Sequence, residues 1–280
     1  MTFDIHMKPI VILYHSDCTD GFGGAWAAWK KFGSRAEYIP IKHQMPPPDG
    51  LTGKTIYLID IVYPPEVMQV LTQENRVVVI DHHKTAKESV AVAHDSLYDL
   101  SHSGAVLAWQ YFHGGKRVPR LLLHVEDGDL WRFALPGTQE ILASIDPFPK
   151  NFSVWNKLER EIGTALGRAR HKARGKVILE YEESQMQDIV RTAEKGRFHG
   201  HHVMIVNTPF LESKIGHALL SKEFPVAIVW RRVSGLIRVS LRSLPSVDVS
   251  ELAALHDGGG HPRAAGFRMP VTEKFPWQYR

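Results

Sequence analysis

Three observations predict an α/β fold built on two sheets. Ile10-Val11-Ile12-Leu13, Ile56-Tyr57-Leu58-Ile59 and Val77-Val78-Val79-Ile80 are short runs of mostly branched apolar residues, the pattern of strands buried on both faces. Each run stops at residues bearing carboxylate or imidazole, and the chain then turns into a helical stretch. Further on, Ile237-Arg238-Val239-Ser240-Leu241-Arg242-Ser243 alternates apolar and polar residues, as a strand with one polar face does, so a second sheet is expected in the last third of the chain.

At 280 residues, 44% hydrophobic and 23% charged, the chain suits two modest domains of ordinary globular composition. No apolar run reaches the roughly 20 residues that span a bilayer, and the N-terminus lacks the apolar core and cleavage site of a secretory leader. A cytoplasmic protein with no membrane partner is expected. The one cysteine, Cys18, excludes an internal disulfide and fits a reducing compartment. A formal charge of +4 and a pI near 9.1 permit an anionic ligand without demanding duplex DNA.

The first strand closes on His15-Ser16-Asp17-Cys18-Thr19-Asp20-Gly21, and Gly21, Gly23 and Gly24 let a tight turn open into a helix around residues 25–29. The turn lacks the Gly-Lys-Ser/Thr ending of a phosphate loop. His15 and the two aspartates are the stronger signal. Trp26 and Trp29, on an alanine-rich helix, read as core rather than as base-stacking groups. After the turn-rich segment 45–50, the second strand closes on Asp60, and Tyr63-Pro64-Pro65-Glu66 starts a helix running through Val70. The third strand ends in Asp81-His82-His83-Lys84. Ligands bind outside the carboxyl ends of strands in an open α/β sheet, and imidazole with carboxylate suits manganese, iron or zinc. A loop near Asp95, a helix over residues 103–112 and an apolar stretch at 121–125 then lead into Glu126-Asp127-Gly128-Asp129. Asp127 and Asp129 compete there as a fourth strand-end source of ligands.

Residues 151–195 read as helical and rich in both charges. The basic run at 168–176 is a solvated face before it is a phosphate-binding one. Strands at 203–206 and 226–230 flank a helix at 213–220, and His199, His201 and His202 read as a surface loop. Ser240 and Arg242 share one side of their strand, offering a hydroxyl and a guanidinium fork to an anion. In Gly258-Gly259-Gly260-His261-Pro262-Arg263-Ala264-Ala265-Gly266-Phe267, successive glycines let backbone N–H groups converge into an anion-binding nest, to which His261 and Arg263 add donors.

His15, Asp17, Asp20, Asp60, His82 and one of Asp127 or Asp129 form a cysteine-free ligand set about right for two divalent ions sharing a carboxylate. Such a pair binds a phosphoryl oxygen and lowers the pKa of a bridging water.

The Asp81-His82-His83 motif, the Ser240-Leu241-Arg242-Ser243 strand and the glycine-rich loop at 258–266 resemble the DHH phosphoesterase superfamily and its DHH-associated C-terminal domain, over nearly the whole chain. The resemblance implies a parallel-sheet DHH domain carrying two divalent metal ions, expected to be manganese, over residues 1–150. A helical linker over 151–195 and a smaller α/β substrate-binding domain over 196–280 would follow. Carried over by position, it makes His15, Asp17, Asp20, Asp60, His82 and Asp129 metal ligands, with Asp60 bridging. It makes Asp81 and His83 the catalytic pair, Asp81 orienting His82 and His83 binding or protonating phosphate. Ser240, Arg242, Ser243, Gly259, Gly260, His261 and Arg263 become substrate-binding groups. The spacing of Asp17 and Asp20 departs from the alternating Asp-x-Asp form of the family.

A compact two-lobed chain is similar to the nano-RNase branch, which implies exonucleolytic hydrolysis of very short RNA to nucleoside 5′-monophosphates. The alternatives are a phosphatase or phosphodiesterase acting on 3′-phosphoadenosine 5′-phosphate, cyclic nucleotides or polyphosphate, and, from another class, a non-catalytic nucleotide or RNA binder. Expected partners are therefore short RNA or nucleotides, with a homodimer left open.

Overall fold

The apolar runs become parallel strands, and the glycines between them set how closely the helices approach. The computed structural model describes residues 8–16, 18–43 and 45–280. These fall into two compact units, Met1–Ile178 and Leu179–Arg280. In the first, the chain runs β1 (Ile10–His15), α1 (Thr19–Phe32), β2 (Ala36–Ile41), β3 (Thr55–Ile59), α2 (Pro65–Glu74), β4 (Arg76–Asp81), α3 (Lys87–Val90), β5 (Asp95–Tyr98), α4 (Gly104–His113), α5 (Arg120–Asp129), α6 (Thr138–Ile145) and α7 (Phe152–Gly163). The five strands form a sheet of order β2-β1-β3-β4-β5, parallel throughout. The chain leaves β1 for β2 on one side and returns for β3 on the other. The carboxyl ends of β1 and β3 therefore flank a topological switch point, where α/β sheets place their ligands.

Successive strand residues face opposite sides and both sides are covered. Ile12, Val78 and Ile80 pack with α1, α4, α5 and α7, whereas Val11, Leu13, Val77 and Val79 pack with Met68 and Leu71 of α2. Each such fully buried side chain is worth roughly 1.5–3 kcal/mol. Trp26 is fully buried against Trp109, and Trp29 packs on Phe152, so both are core. A Cβ on Gly24 would lie 2.3 Å from Ile59 Cγ2, and one on Gly21 2.2 Å from the His15 carbonyl oxygen. Only glycine lets α1 press this closely on the ends of β1 and β3.

Three elements differ from expectation. The segment near Asp95 is a strand rather than a loop, β2 adds an edge strand, and the residues around Asp127 and Asp129 end a helix, α5, rather than a strand.

A long helix, α8 (Ala165–Val190), carries the boundary between the units. Its basic run is partly spent on packing. Arg168 donates to the Ile162 and Gly163 carbonyls, His171 meets Ser144 and Glu161, and Arg174 lies over Phe148. The second unit continues with β6 (Glu194–Phe198), β7 (His201–Asn207), α9 (Glu212–Ala218), β8 (Val226–Val233), β9 (Leu236–Ser243), α10 (Val249–Ala254), β10 (Gly259–His261), β11 (Ala264–Pro270) and β12 (Gln278–Tyr279). Its sheet has the order β10-β11-β9-β8-β7-β6-β12, antiparallel except for β7 and β8, which α9 connects. Met186, Ile189 and Val190 of α8 and Ile215 of α9 pack on one cluster of its core, and α10, Trp277 and Phe275 on the other. His201 and His202 begin β7 across a tight turn from β6 instead of lying in an open loop. Among the described residues no helix is long and apolar enough to cross a membrane.

Candidate metal centre

The ends of β1, β3, β4 and α5 bring one buried carboxylate into the middle of a ring of donors. Asp60, the residue after β3, is 2% exposed and adopts a left-handed backbone conformation, φ 59°. Its two oxygens face different neighbours. Oδ2 accepts a hydrogen bond from Cys18 Sγ at 3.0 Å and lies 3.4 Å from His15 Nδ1. Oδ1 lies 3.2 Å from His82 Nε2 and 3.7 Å from His83 Nδ1. His82 Nε2 is also 3.6 Å from Asp20 Oδ2 and 3.6 Å from Asp129 Oδ2.

Each donor is placed by its own element. Asp20 lies in the first turn of α1, and its carboxylate accepts the Gly104 and Ala105 N–H groups at 2.7 and 3.0 Å, two donors that open α4. Gly104 has room for no side chain, because a Cβ there would lie 2.8 Å from Asp60 Cβ. Asp81, expected to orient His82, instead accepts both the main-chain N–H and Nδ1 of His83, at 2.7 and 2.9 Å. Asp127 is turned away from the centre. Its carboxylate accepts from Ala134, Leu135 and Thr138 and holds the turn before α6, while Asp129 is the one near His82. Asp17 lies outside the described residues.

Proximity of carboxylates and imidazoles at this burial shifts their titration. Burial pushes up both the Cys18 thiol and the Asp20 carboxyl, and the Asp129 and Asp60 charges add to the rise at Asp20. Burial also opposes ionisation of Asp60, but its hydrogen bonds with His15 and His82 outweigh this and hold it well below the usual carboxylate range. For His82, desolvation is outweighed by the Asp60 hydrogen bond and the surrounding carboxylates, which raise it to about 10; Asp81 and Asp60 likewise raise His83 to about 9. Asp81 Oδ2 is buried without a hydrogen-bond partner. Three carboxylates converging on one imidazole, Asp60 turned to two donor sets, and a buried unpartnered oxygen nearby are what a divalent cation balances. Among the described residues of the first unit, His15–Cys18–Asp60 and Asp20–Asp60–His82 each have ligand atoms close enough to share an ion.

Two participants escaped the sequence reading. Cys18 lies inside the first motif, next to residues already singled out, and its type set it aside. The ring of His43, from the loop after β2, lies tilted 4.7 Å from the His15 ring and edge-on 6.5 Å from that of His83. No local pattern marks it.

In the second unit, Ser240 Oγ donates to Glu212 Oε2 at 2.9 Å, and Arg242 donates to Ser213 Oγ and to the Leu241 carbonyl, so both face α9. Ser243 faces the other way and is buried. It donates to the Val247 and Pro262 carbonyls and ties the loop after β9 to the β10–β11 turn. Gly259, Gly260 and His261 form an edge strand paired with Ala264, Ala265 and Gly266, in place of the expected loop of converging amides, and Arg263 sits exposed in the turn. Close pairing demands the glycines: a Cβ on Gly260, φ 136°, would meet the Ala264 carbonyl oxygen at 2.6 Å.

The family model described as the DHHA1 domain matches residues 213–276, which span α9 to β11. A solved DHH domain, from a protein described as a member of a family of ribosomal proteins, shares the fold at 12% identity, with a TM-score of 0.64 over 97% of this chain and 83% of that one. The chain has the fold of that DHH domain and carries a DHHA1 domain. RecJ of Thermus thermophilus, solved in complex with Mn2+, aligns to this chain with a TM-score of 0.52 and 15% identity, over 93% of this chain and 49% of RecJ. Uncharacterized protein R106 of Acanthamoeba polyphaga mimivirus is 30% identical across 91% of this chain, which spans 66% of that relative's length.

Proposed function

We propose that this protein is a divalent-metal phosphoesterase of the DHH superfamily that cleaves very short oligoribonucleotides to nucleoside 5′-monophosphates. The observation that carries the reading is Asp60, whose two oxygens face two separate donor sets at a topological switch point. Asp20, His82 and Asp129 would hold one ion with Asp60, and His15 would hold the other with Asp60 and Asp17. Bound there, divalent ions, manganese by analogy with the RecJ structure, would neutralise phosphoryl oxygens and acidify an attacking water. His83, kept protonated by Asp81, can donate to a phosphate oxygen or to the leaving alkoxide. Ser240, Arg242, Gly259, Gly260, His261 and Arg263 are proposed to bind the anionic remainder of the substrate, with Arg242 supplying the fork. A cytoplasmic location accompanies this reading.

A turnover assay with manganese tests it, run in parallel on RNA dinucleotides, longer RNA, 3′-phosphoadenosine 5′-phosphate, cyclic nucleotides and polyphosphate, each with a chelated control. Dinucleotides are expected to turn over fastest. Asp60→Asn and His82→Ala should each lose about 10³-fold or more, roughly 4 kcal/mol of barrier. Faster turnover of another substrate reassigns the activity within phosphoester hydrolysis. Full activity in His82→Ala overturns the metal-centre mechanism, and metal-bound protein that hydrolyses nothing overturns the enzyme reading in favour of a nucleotide binder.

A further inference from the structure

We propose that Cys18 is itself a metal ligand, which makes the His15 side of Asp60 a mixed imidazole–thiolate–carboxylate site for a thiophilic divalent ion of the zinc class. The inference rests on the metal-binding reading above and goes beyond it in naming a ligand and an ion class for one of the two positions. His15 Nδ1, Cys18 Sγ and Asp60 Oδ2 form a closed triangle with sides of 3.2, 3.0 and 3.4 Å. Donors bound to one zinc at about 2.0–2.3 Å cannot be more than about 4.6 Å apart, and all three separations fall inside that limit. The sulfur is fixed rather than swinging, because it accepts the Gly21 N–H at 3.1 Å as the N-cap of α1.

The other oxygen of Asp60 provides the contrast. It faces His82, beside Asp20 and Asp129, a set with no sulfur. One carboxylate thus joins a soft donor set to a hard one, and thiolate selects zinc or cobalt where carboxylate and imidazole alone accept manganese. The departure of Asp17 and Asp20 from the alternating Asp-x-Asp spacing falls at the point in the motif where the sulfur enters. On binding, the S–H bond breaks, its proton passes to solvent and the sulfur lone pair forms the metal bond.

Cobalt(II), added to the protein freed of metal, reads this directly. The wild-type protein is expected to develop an intense near-ultraviolet thiolate-to-cobalt charge-transfer band that saturates at one equivalent. Cys18→Ser should lose that band while keeping the weak visible bands of cobalt bound elsewhere. Cys18→Asp, which keeps an anionic donor, should lower the zinc-over-manganese binding ratio by about tenfold or more in competitive equilibrium dialysis. Cobalt retained on dialysis without the charge-transfer band, or an unchanged ratio in Cys18→Asp, overturns the cysteine assignment alone. Failure to retain any divalent ion overturns the functional reading with it.

Discussion

Asp60 and His82 meet at the middle of the centre, and their protonation sets how the metal-free protein behaves. The folded-state pKa of His82, about 10, lies above its ordinary 6.5. Its ion pairing therefore stabilises the fold fully below the unfolded value and fades as pH rises through about 10. A divalent cation needs the ligand imidazole neutral, so binding at neutral pH should expel about one proton from His82. Calorimetry of metal binding in two buffers of different ionisation enthalpy measures that release, and identical heats in both would contradict it. At this scale His15, Asp60 and His82 were legible because each follows a run of buried apolar residues. Cys18 was not, because a single cysteine carries no spacing of its own, and its role shows only once β1 and β3 lie side by side.

Elements were legible where both faces are buried. β1, β3 and β4, the three central strands of the first sheet, are apolar runs, whereas β2 and β5 are its edges. Edge strands tolerate polar residues and proline, and β2 carries Glu37 and Pro40 while β5 spans only Asp95 to Tyr98. α5 was misread for another reason. Residues 121–125 are largely apolar, and a short apolar run does not distinguish a strand from a buried helix turn; Pro119, just ahead of the helix, was the better sign. The contact between α4 and the end of β3 depends on Gly104. Gly104→Ala would drive a methyl group to within 2.8 Å of Asp60 Cβ and 2.9 Å of Asp20 Oδ2. It should cost about 1–3 kcal/mol, seen as a lower melting temperature, and should weaken metal retention on dialysis by about tenfold. An unchanged melting curve with full retention would show that α4 can retreat without disturbing the centre.

Across the whole molecule, the proposed chemistry is divided between the two units: ion-holding carboxylates and imidazoles in the first, a guanidinium braced by α9 in the second. Arg242→Ala should therefore raise KM by about tenfold while leaving kcat nearly unchanged, and Arg242→Lys should recover only part of the loss, because an ammonium cannot reproduce the fork. A fall in kcat equal to that of His82→Ala would instead place Arg242 in the chemical step. The matched DHHA1 segment covers Arg242 and both strands of the glycine hairpin, and the hairpin was legible as a motif but not as a paired edge strand. The left-handed backbone at Asp60 has a consequence for which sequences this fold can accept. Few residues rest easily at φ 59°, chiefly glycine, asparagine and aspartate. Glycine brings no ligand and asparagine brings no charge. The backbone thus biases the alphabet at position 60 before any chemistry is chosen, and aspartate satisfies both demands; glutamate, for all its chemical kinship, would add a backbone cost of roughly 1–2 kcal/mol, as Trp131, Phe133 and Leu211 do elsewhere in the chain.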